Sequence, residues 1–376
     1  MQGCYGEVHF NIFMNFYPLS IKNIRKETED AYSLIFDVSD DLSSTFHHQA
    51  GQYVTLRTEI NGEDIRRPYS INSRPGDPDF SVTIKKVKGG KMSHHLSTCK
   101  AGDTLMVSEP EGHFTVLPEH SLKRSLYFIA AGSGITPVMS MIQSALEDEP
   151  KSVCYLLYGS RNEQQIIFKD SLEKLSEKYS GQLFVKHVLS NPITTKASGL
   201  SGWLGKKETS WSGDKGRISP SVLAAFLADF PGQKDKQFYI CGPGDMIENV
   251  EKHLILEGFV SQQIHKEFFT PAAKKSASTT QSAEGTSRVE VILKGQQHHF
   301  DIPKNKIILD VLVEKKLDPP YSCTSGACST CIAKVTSGQV KMDTCYALED
   351  DEVAAGYILT CQAKAVSEEV SLTYDV

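Results

Sequence analysis

The sequence predicts three folded parts in a row: a small antiparallel β-barrel, an α/β domain built on a parallel sheet, and a compact cysteine-bearing module. Three observations carry this. Residues 16–122 hold short β patterns at close spacing and no long amphipathic helix. From Lys123 the pattern changes to short apolar runs that each end in glycine, with helical stretches between them. Past a polar stretch, three cysteines fall within the nine residues CTSGACSTC, from Cys323 to Cys331. A chain of 376 residues, 40% of them hydrophobic, is long enough for two or three domains with their own cores.

In the first part, GQYVTLRTEING is a strand that ends on an Asn61-Gly62 hairpin signal, and DFSVTIKKVKGG holds another strand. In the second, residues 123–271, the runs SLYFIAAG, SVCYLLYG and KQFYICG read as buried parallel strands. PVMSMIQSALED and SPSVLAAFLADF read as helices. In the latter, Val222, Leu223, Phe226, Leu227 and Phe230 share one face behind a Ser219-Pro220 start. The polar excursion over residues 191–217 reads as a surface loop. Residues 272–288 contain no aliphatic side chain larger than alanine and no aromatic, so they cannot bury a core and read as a flexible linker. Residues 289–376 form the last module.

Charge and composition exclude several classes. A net charge of −6 gives no basic stripe of the kind a nucleic-acid binder carries. From Val289 onward 8 Lys and Arg face 13 Asp and Glu, so nearly all the negative balance lies in the last module. Glu349, Asp350, Asp351 and Glu352 are candidates for docking there, against the plainer reading of a solvated charged turn. No apolar run of about 18 residues occurs, so no transmembrane helix is expected. The start lacks the basic and apolar regions of a secretory signal, and Met14 is a second candidate start. Nine cysteines, an odd number, argue against a disulfide scaffold and for a reducing compartment, the cytoplasm.

The cysteines run Cys323-x4-Cys328-x2-Cys331, then twenty-nine residues to Cys361. This is the plant-type spacing for a 2Fe–2S cluster. A tight loop wraps three thiolates around the two irons while a distant strand end supplies the fourth. The small residues Ser325, Gly326, Ala327 and Ser329 let backbone N–H groups approach the sulfurs. Zinc sites usually pair one C-x2-C with another close pair, which is missing here. Cys345, inside the long gap, is a rival for fourth ligand, against the plainer reading of a bystander. His298-His299 reads as a solvated turn rather than part of a Rieske centre. Such a cluster takes one electron at a time, so something upstream must split a two-electron donor, and a flavin does this.

Beyond spacing, DPPYSCTSGACSTCIAKVTSGQV and LEDDEVAAGYILTCQA resemble plant-type ferredoxins through the whole module. The resemblance implies an α+β β-grasp fold, with Cys361 of the LTC motif joining Cys323, Cys328 and Cys331 as cluster ligand. Arg67-Pro68-Tyr69-Ser70 is similar to the R-x-Y-S motif of the ferredoxin–NADP reductase superfamily. That likeness implies a Greek-key barrel that binds FAD, with FMN left open. Arg67, beside Pro68, would meet the flavin phosphate, Tyr69 the isoalloxazine, and Ser70 the ring's reactive edge. Gly90, Met92 and Ser93, in GGKMSHHL, would make a second phosphate contact at a helix start.

Gly132-Ser133-Gly134-Ile135-Thr136-Pro137 follows a strand, with Thr136 as N-cap and Pro137 opening a helix. Such a turn is an anion site made by free N–H groups and the helix dipole. YGSRN brings Ser160 and Arg161, and CGPGDM brings Cys241, Gly242 and Pro243, to strand ends where ligands meet an open parallel sheet. All three resemble the nicotinamide domain of the same superfamily, which puts Cys241 near the nicotinamide. Glu267 and Phe269, in HKEFFTP, resemble the E-x-F ending beside the flavin; a core aromatic is the plainer reading of Phe269. Ser160 and Arg161 suit the 2′-phosphate of NADPH, while NADH stays open.

The whole order resembles oxygenase reductases, such as those that serve phenylacetyl-CoA epoxidase, ketosteroid hydroxylases and acyl-CoA desaturases. The resemblance implies hydride transfer from NAD(P)H to FAD, with Ser70, Cys241 and Glu267 around the reacting atoms. Single electrons then pass through the cluster to a partner oxygenase. Two rival readings are a plain electron carrier with a degenerate reductase half, and a flavin reductase that releases reduced flavin.

Overall fold

The computed structural model describes residues 14–196, 207–209, 211–270 and 285–376. The linker reading over residues 272–284 and part of the polar excursion lie outside these residues. The described residues make two compact units, one formed by the barrel with the parallel sheet and one centred on the C-terminal module.

The barrel strands are β1 (Phe16–Lys26), β2 (Ala31–Asp37), β3 (Tyr53–Ile60), β4 (Glu63–Ser70), β5 (Phe80–Lys85) and β6 (Thr104–Ser108). They lie in the order β4-β3-β6-β1-β2-β5. Ile71, just past β4, bridges Val82 of β5 in the antiparallel sense, so the two edges meet and the Greek-key barrel closes. The β3–β4 turn is the Asn61-Gly62 pair, with φ of 54° and 79°, the geometry a two-residue hairpin needs. The α-helix in this part is short: α1 (Lys91–Leu96).

The second sheet is parallel. Its strands are β7 (Ser125–Ala131), β8 (Val153–Ser160), β9 (Leu183–Leu189), β12 (Asp214–Lys215), β13 (Lys236–Pro243) and β14 (Ile264–Thr270). A side hairpin of β10 (Thr194–Lys196) and β11 (Lys207–Thr209) lies in the polar excursion, so part of the expected loop is strand. Helices α2 (Ile135–Asp148), α3 (Lys169–Lys178), α4 (Pro220–Asp229) and α5 (Gly244–Leu256) connect the strands. Ser219 caps α4 by accepting from the Val222 N–H, and Leu223 and Phe226 are its buried face. The sheet order is β12-β9-β8-β7-β13-β14. The chain builds outward from β7 in one direction, then returns to lay β13 and β14 on its other side. The reversal between β7 and β13 opens a crevice at their C-terminal ends, where open α/β sheets bind ligands.

Barrel and parallel sheet share a core. Ala31, Ala50, Phe114 and Val116 pack with Val138, Met141 and Ile142 of α2. Ser140, also on α2, donates to the Ser73 carbonyl at 2.6 Å, and the rings of Phe114 and Tyr239 meet edge-on at 5.9 Å.

The C-terminal module has β15 (Thr286–Leu293), β16 (Gln296–Pro303), α6 (Ile308–Glu314), β17 (Ile332–Ser337) and β18 (Val340–Met342). After these come α7 (Asp350–Ala354), β19 (Tyr357–Leu359), β20 (Ala363–Ala365) and β21 (Glu369–Thr373). The mixed sheet β16-β15-β21-β17-β19 wraps α6, whose Ile308, Val311 and Leu312 pack with Val289, Val291, Val370 and Leu372. Two expectations change here. Thr286, Ser287 and Arg288, read as linker, are the first residues of β15 and pair with β16. His298 and His299 lie inside β16 rather than in a turn, because the turn falls four residues earlier, at Lys294 and Gly295.

Candidate functional site

The first site lies where barrel and parallel sheet meet. The sheet brings Ala131, at the end of β7, beside Gly159 of β8, and Ala130 beside Cys241 of β13. The motifs around Gly132, Ser160 and Cys241 are therefore neighbours at one edge. Gly134 is required there by close approach. A Cβ on it would stand 2.1 Å from the Cys241 carbonyl oxygen and 2.5 Å from its carbon. The turn runs as one 3₁₀ step, Gly132–Gly134, and α2 starts at Ile135 with Gly134 as its N-cap residue. Thr136 is thus inside the helix and not its cap, and its hydroxyl donates to the Ser133 carbonyl at 3.0 Å. The 3₁₀ step uses up the residues before it. Pro137 fits the same first turn, where its missing N–H costs nothing.

Register puts Cys241 opposite Glu267 of β14. The Cys241 thiol donates to the Glu267 carboxyl at 3.9 Å, and Ser70, buried at the end of β4, is hydrogen-bonded to the same carboxyl. Three residues from three separate motifs converge. Part of Glu267's surface is accessible, but its carboxyl group is enclosed. Burial pushes its pKa up to about 8, against the pull of the Cys241 and Ser70 hydrogen bonds. It carries a proton at neutral pH. Burial first, then Glu267, pushes the Cys241 thiol up, so it stays neutral. Phe269 is partly buried against the shared core.

On the barrel side Arg67 is exposed, its guanidinium donating to the Arg66 carbonyl at 2.6 Å; Pro68 and Tyr69 are half-buried. Gly90 is the N-cap residue of α1, while Met92 and Ser93 are buried within it. The Ser93 hydroxyl accepts from the Val87 N–H at 3.1 Å, so it ties the preceding loop to the helix. Ser160 is buried; Arg161 and Pro243 are exposed at their strand ends.

In the second site, the Cys323 thiol is hydrogen-bonded to Cys328 and Cys361, and Cys361 also to Cys331. Those bonds hold Cys323 well below the usual thiol range and push Cys328 and Cys361 well above it. The Ser325 N–H points at the Cys323 sulfur, 3.4 Å away. Cys328, Cys331 and Cys361 are buried. Cys345 packs at the edge of the same small apolar cluster, its thiol bonded to the Leu348 backbone. The acidic run from Glu349 has a local reason: Glu349 and Glu352 form a capping box at the start of α7, where negative charge favours a helix.

Comparison with known proteins decides the family. Residues 18–116 match the oxidoreductase FAD-binding domain, 128–252 the oxidoreductase NAD-binding domain, and 291–366 the 2Fe–2S iron–sulfur cluster binding domain. The chain is 34% identical over 364 residues to one component of the 1,2-phenylacetyl-CoA epoxidase of Escherichia coli K12, covering 96% of this chain and 98% of that one. It belongs to the ferredoxin–NADP reductase superfamily, among the reductases with a C-terminal 2Fe–2S domain. The reductase is also 32% identical to the ferredoxin reductase component of the Rhodococcus rhodochrous 3-ketosteroid-9-alpha-monooxygenase, covering 95% of this chain and 96% of that one. The solved phthalate dioxygenase reductase shares its fold, with a TM-score of 0.56 and 24% identity over 95% of this chain and 98% of that one. The reductase is an NAD(P)H-dependent flavin and iron–sulfur oxidoreductase. Among the described residues no helix is long and apolar enough to cross a membrane.

The residues fit these cofactors. Cys323, Cys328, Cys331 and Cys361 neighbour one another and would offer the all-sulfur donor set that 2Fe–2S requires. The turn at Gly132, where an added Cβ would meet only the Lys85 ammonium at 3.8 Å, leaves room and positive charge that fit the phosphates of a nucleotide. Bound FAD supplies conversion between two-electron and one-electron transfer, and bound 2Fe–2S supplies one-electron carriage.

Two residues of this region escaped the sequence reading. Tyr32, on β2, donates to the Ser93 carbonyl at 3.0 Å. Lys85, the last residue of β5, brings its ammonium 3.8 Å from where a Cβ on Gly132 would stand, and so adds positive charge to that turn. Replacing Gly134 with alanine is expected to cost the reductase about 3 kcal/mol of stability, because the clash is with the Cys241–Gly242 peptide and not with a side chain that could move aside. Hydride transfer should slow by up to about 100-fold as the turn shifts. Thermal melting and stopped-flow flavin reduction measure the two effects, and an unchanged melting temperature would contradict the geometry.

Proposed function

We propose that the reductase carries electrons from NAD(P)H, through FAD and the 2Fe–2S cluster, to a separate oxygenase of the phenylacetyl-CoA epoxidase type. The observation that carries this reading is the end-to-end identity with the Escherichia coli epoxidase component. The similar identity with the 3-ketosteroid-9-alpha-monooxygenase component favours a second reading, a steroid monooxygenase as partner. The working division is residues 16–122 for flavin, 123–271 for nicotinamide, and the C-terminal module, from the start of β15 at Thr286, for the cluster.

In this reading Arg67 and Pro68 meet the flavin phosphate, and Tyr69 lies against the isoalloxazine. Gly90, Met92 and Ser93 supply a second phosphate contact through main-chain N–H groups. Gly132, Gly134, Thr136 and Pro137 shape the turn that receives the nicotinamide dinucleotide's phosphates. Gly242 and Pro243 carry the chain away from the nicotinamide, and Phe269 flanks the flavin. Ser70, Cys241 and protonated Glu267 line the hydride path as a neutral hydrogen-bonded group, which adds no charge beside it. Ser160 and Arg161 receive a 2′-phosphate, which favours NADPH. Cys323, Cys328, Cys331 and Cys361 hold the cluster.

Anaerobic titration with NADPH, and separately with NADH, tests the chain of carriers. Flavin and iron–sulfur bands should both bleach, and faster with NADPH. Oxidised iron–sulfur bands after full flavin reduction would refute the relay. Reconstitution with the oxygenase components of a phenylacetyl-CoA epoxidase and of a 3-ketosteroid monooxygenase then tells the two partners apart, since only the true one should turn over.

A further inference from the structure

Behind the cysteines lies a chain of buried hydroxyls that the proposed electron path does not use. Thr360, between β19 and Cys361, donates its hydroxyl to the Cys331 carbonyl at 3.0 Å, and its backbone N–H donates to the same oxygen at 3.1 Å. Tyr374, just past β21, donates its hydroxyl to Thr360 Oγ1 at 2.7 Å. Tyr374 is 2% exposed, Thr360 0% and Cys331 1%, so water has no access to the chain. The Tyr374 backbone N–H is itself held by the Ile292 carbonyl at 2.9 Å, which anchors the ring to β15. A phenylalanine would fill the same apolar space among Ile358, Ala363 and Leu372. The hydroxyl brings a polar group into that core, and its partner is the residue that precedes Cys361 and grips the Cys331 carbonyl.

We infer that Tyr374 is a positioning residue for the 2Fe–2S cluster, acting through Thr360 on the Cys331 peptide and raising the cluster's reduction potential. This rests on the proposed ligation by Cys331 and Cys361. Both O–H bonds point the same way, from Tyr374 to Thr360 to Cys331, so each polarises the next. Their positive ends point along the chain toward the Cys331 peptide, whose residue carries one of the proposed sulfur ligands. Reduction adds one negative charge to the cluster, and dipoles fixed in that direction stabilise the reduced form. Because Thr360 grips the Cys331 carbonyl twice, it also fixes the end of the cysteine loop against the strand end that carries Cys361.

The test is spectroelectrochemical titration of the full-length reductase with its cofactors in place. Wild type, Tyr374→Phe, Thr360→Val, Thr360→Ser and the double variant Tyr374→Phe/Thr360→Val are compared. Tyr374→Phe is expected to move the cluster midpoint to a more negative potential, and Thr360→Val at least as far. The double variant should move no further than Thr360→Val, because one path carries both effects. Thr360→Ser, which keeps the hydroxyl, should stay near wild type. An unchanged midpoint in Tyr374→Phe overturns the inference even if the melting temperature falls, since a purely structural hydroxyl would do only that. Additive shifts in the double variant overturn it too. If Thr360→Val fails to hold a cluster, Tyr374→Phe and Thr360→Ser alone decide. The wild-type visible and electron paramagnetic resonance spectra come first. A wild type that takes up no 2Fe–2S centre refutes the ligand assignment, whereas a normal centre with an unmoved Tyr374→Phe midpoint refutes only this inference.

Discussion

Replacing Cys328 with serine is expected to abolish electron delivery to the oxygenase while NAD(P)H oxidation by an artificial dye that draws on the flavin continues. Cys328 is buried and hydrogen-bonded to Cys323 within the group of four thiols. A serine hydroxyl stays protonated at neutral pH and is a poor ligand to iron, so the variant would lack one of its four donors. Loss of an outer-shell partner already costs metal sites about 10–100-fold, so loss of a ligand should cut partner-directed flow by more than about 100-fold. Dye reduction depends on the barrel and the parallel sheet, whose own core does not involve Cys328. Parallel assays with dye and oxygenase read the split. Oxygenase turnover by a clusterless variant would sink the relay and favour a reductase that releases its flavin.

The second large effect is on pH. With Glu267 raised to about 8 by burial, from an ordinary value of 4.5 in the open chain, the folded state keeps a proton that the unfolded state has lost. Below about pH 4.5 both states hold it and the residue contributes no pH dependence. Between about 4.5 and 8 only the folded state holds it, so stability falls as pH rises, by about 1.4 kcal/mol per pH unit. Across that window the loss sums to about 5 kcal/mol, and above pH 8 both states are ionised and the fall ends. Glu267→Gln keeps a neutral side chain of the same shape. It should remove this decline and leave a reductase whose urea midpoint is flatter between about pH 5 and 8 than the parent's. Parallel curves for parent and variant would show that the carboxyl is not held neutral.

What could be read from the sequence was what repeats locally. The glycine-terminated runs before Gly132, Gly159 and Gly242 marked strands, because a buried parallel strand is continuously apolar and must turn sharply at the ligand edge. The cysteine spacing marked the 2Fe–2S domain, because three cysteines at that spacing fall in one short segment. Thr136 misled because Thr-Pro is a common helix opening, and nothing local reveals that a 3₁₀ step precedes it. Lys85 and Tyr32 could not be found at all. Their importance comes from meeting Gly132 and Ser93 across the fold, and no spacing in the chain encodes those encounters. Tyr374 is the same case in the last module, since its link to Thr360 exists only once β21 and β19 have entered one sheet.

The core shared by barrel and parallel sheet bears on how such proteins can be rearranged. A cut after Leu122 would leave Phe114 and Val116 on one fragment and Val138, Met141 and Ile142 on the other, each large side chain losing about 1.5–3 kcal/mol of burial. Neither half is then a sound building block. Gene fusion and shuffling can therefore trade the flavin and nicotinamide parts only as a pair, as a single inherited cassette. The cysteine module buries Val289, Ile308, Leu312 and Leu372 against one another, so its core is its own and is not divided by such a cut.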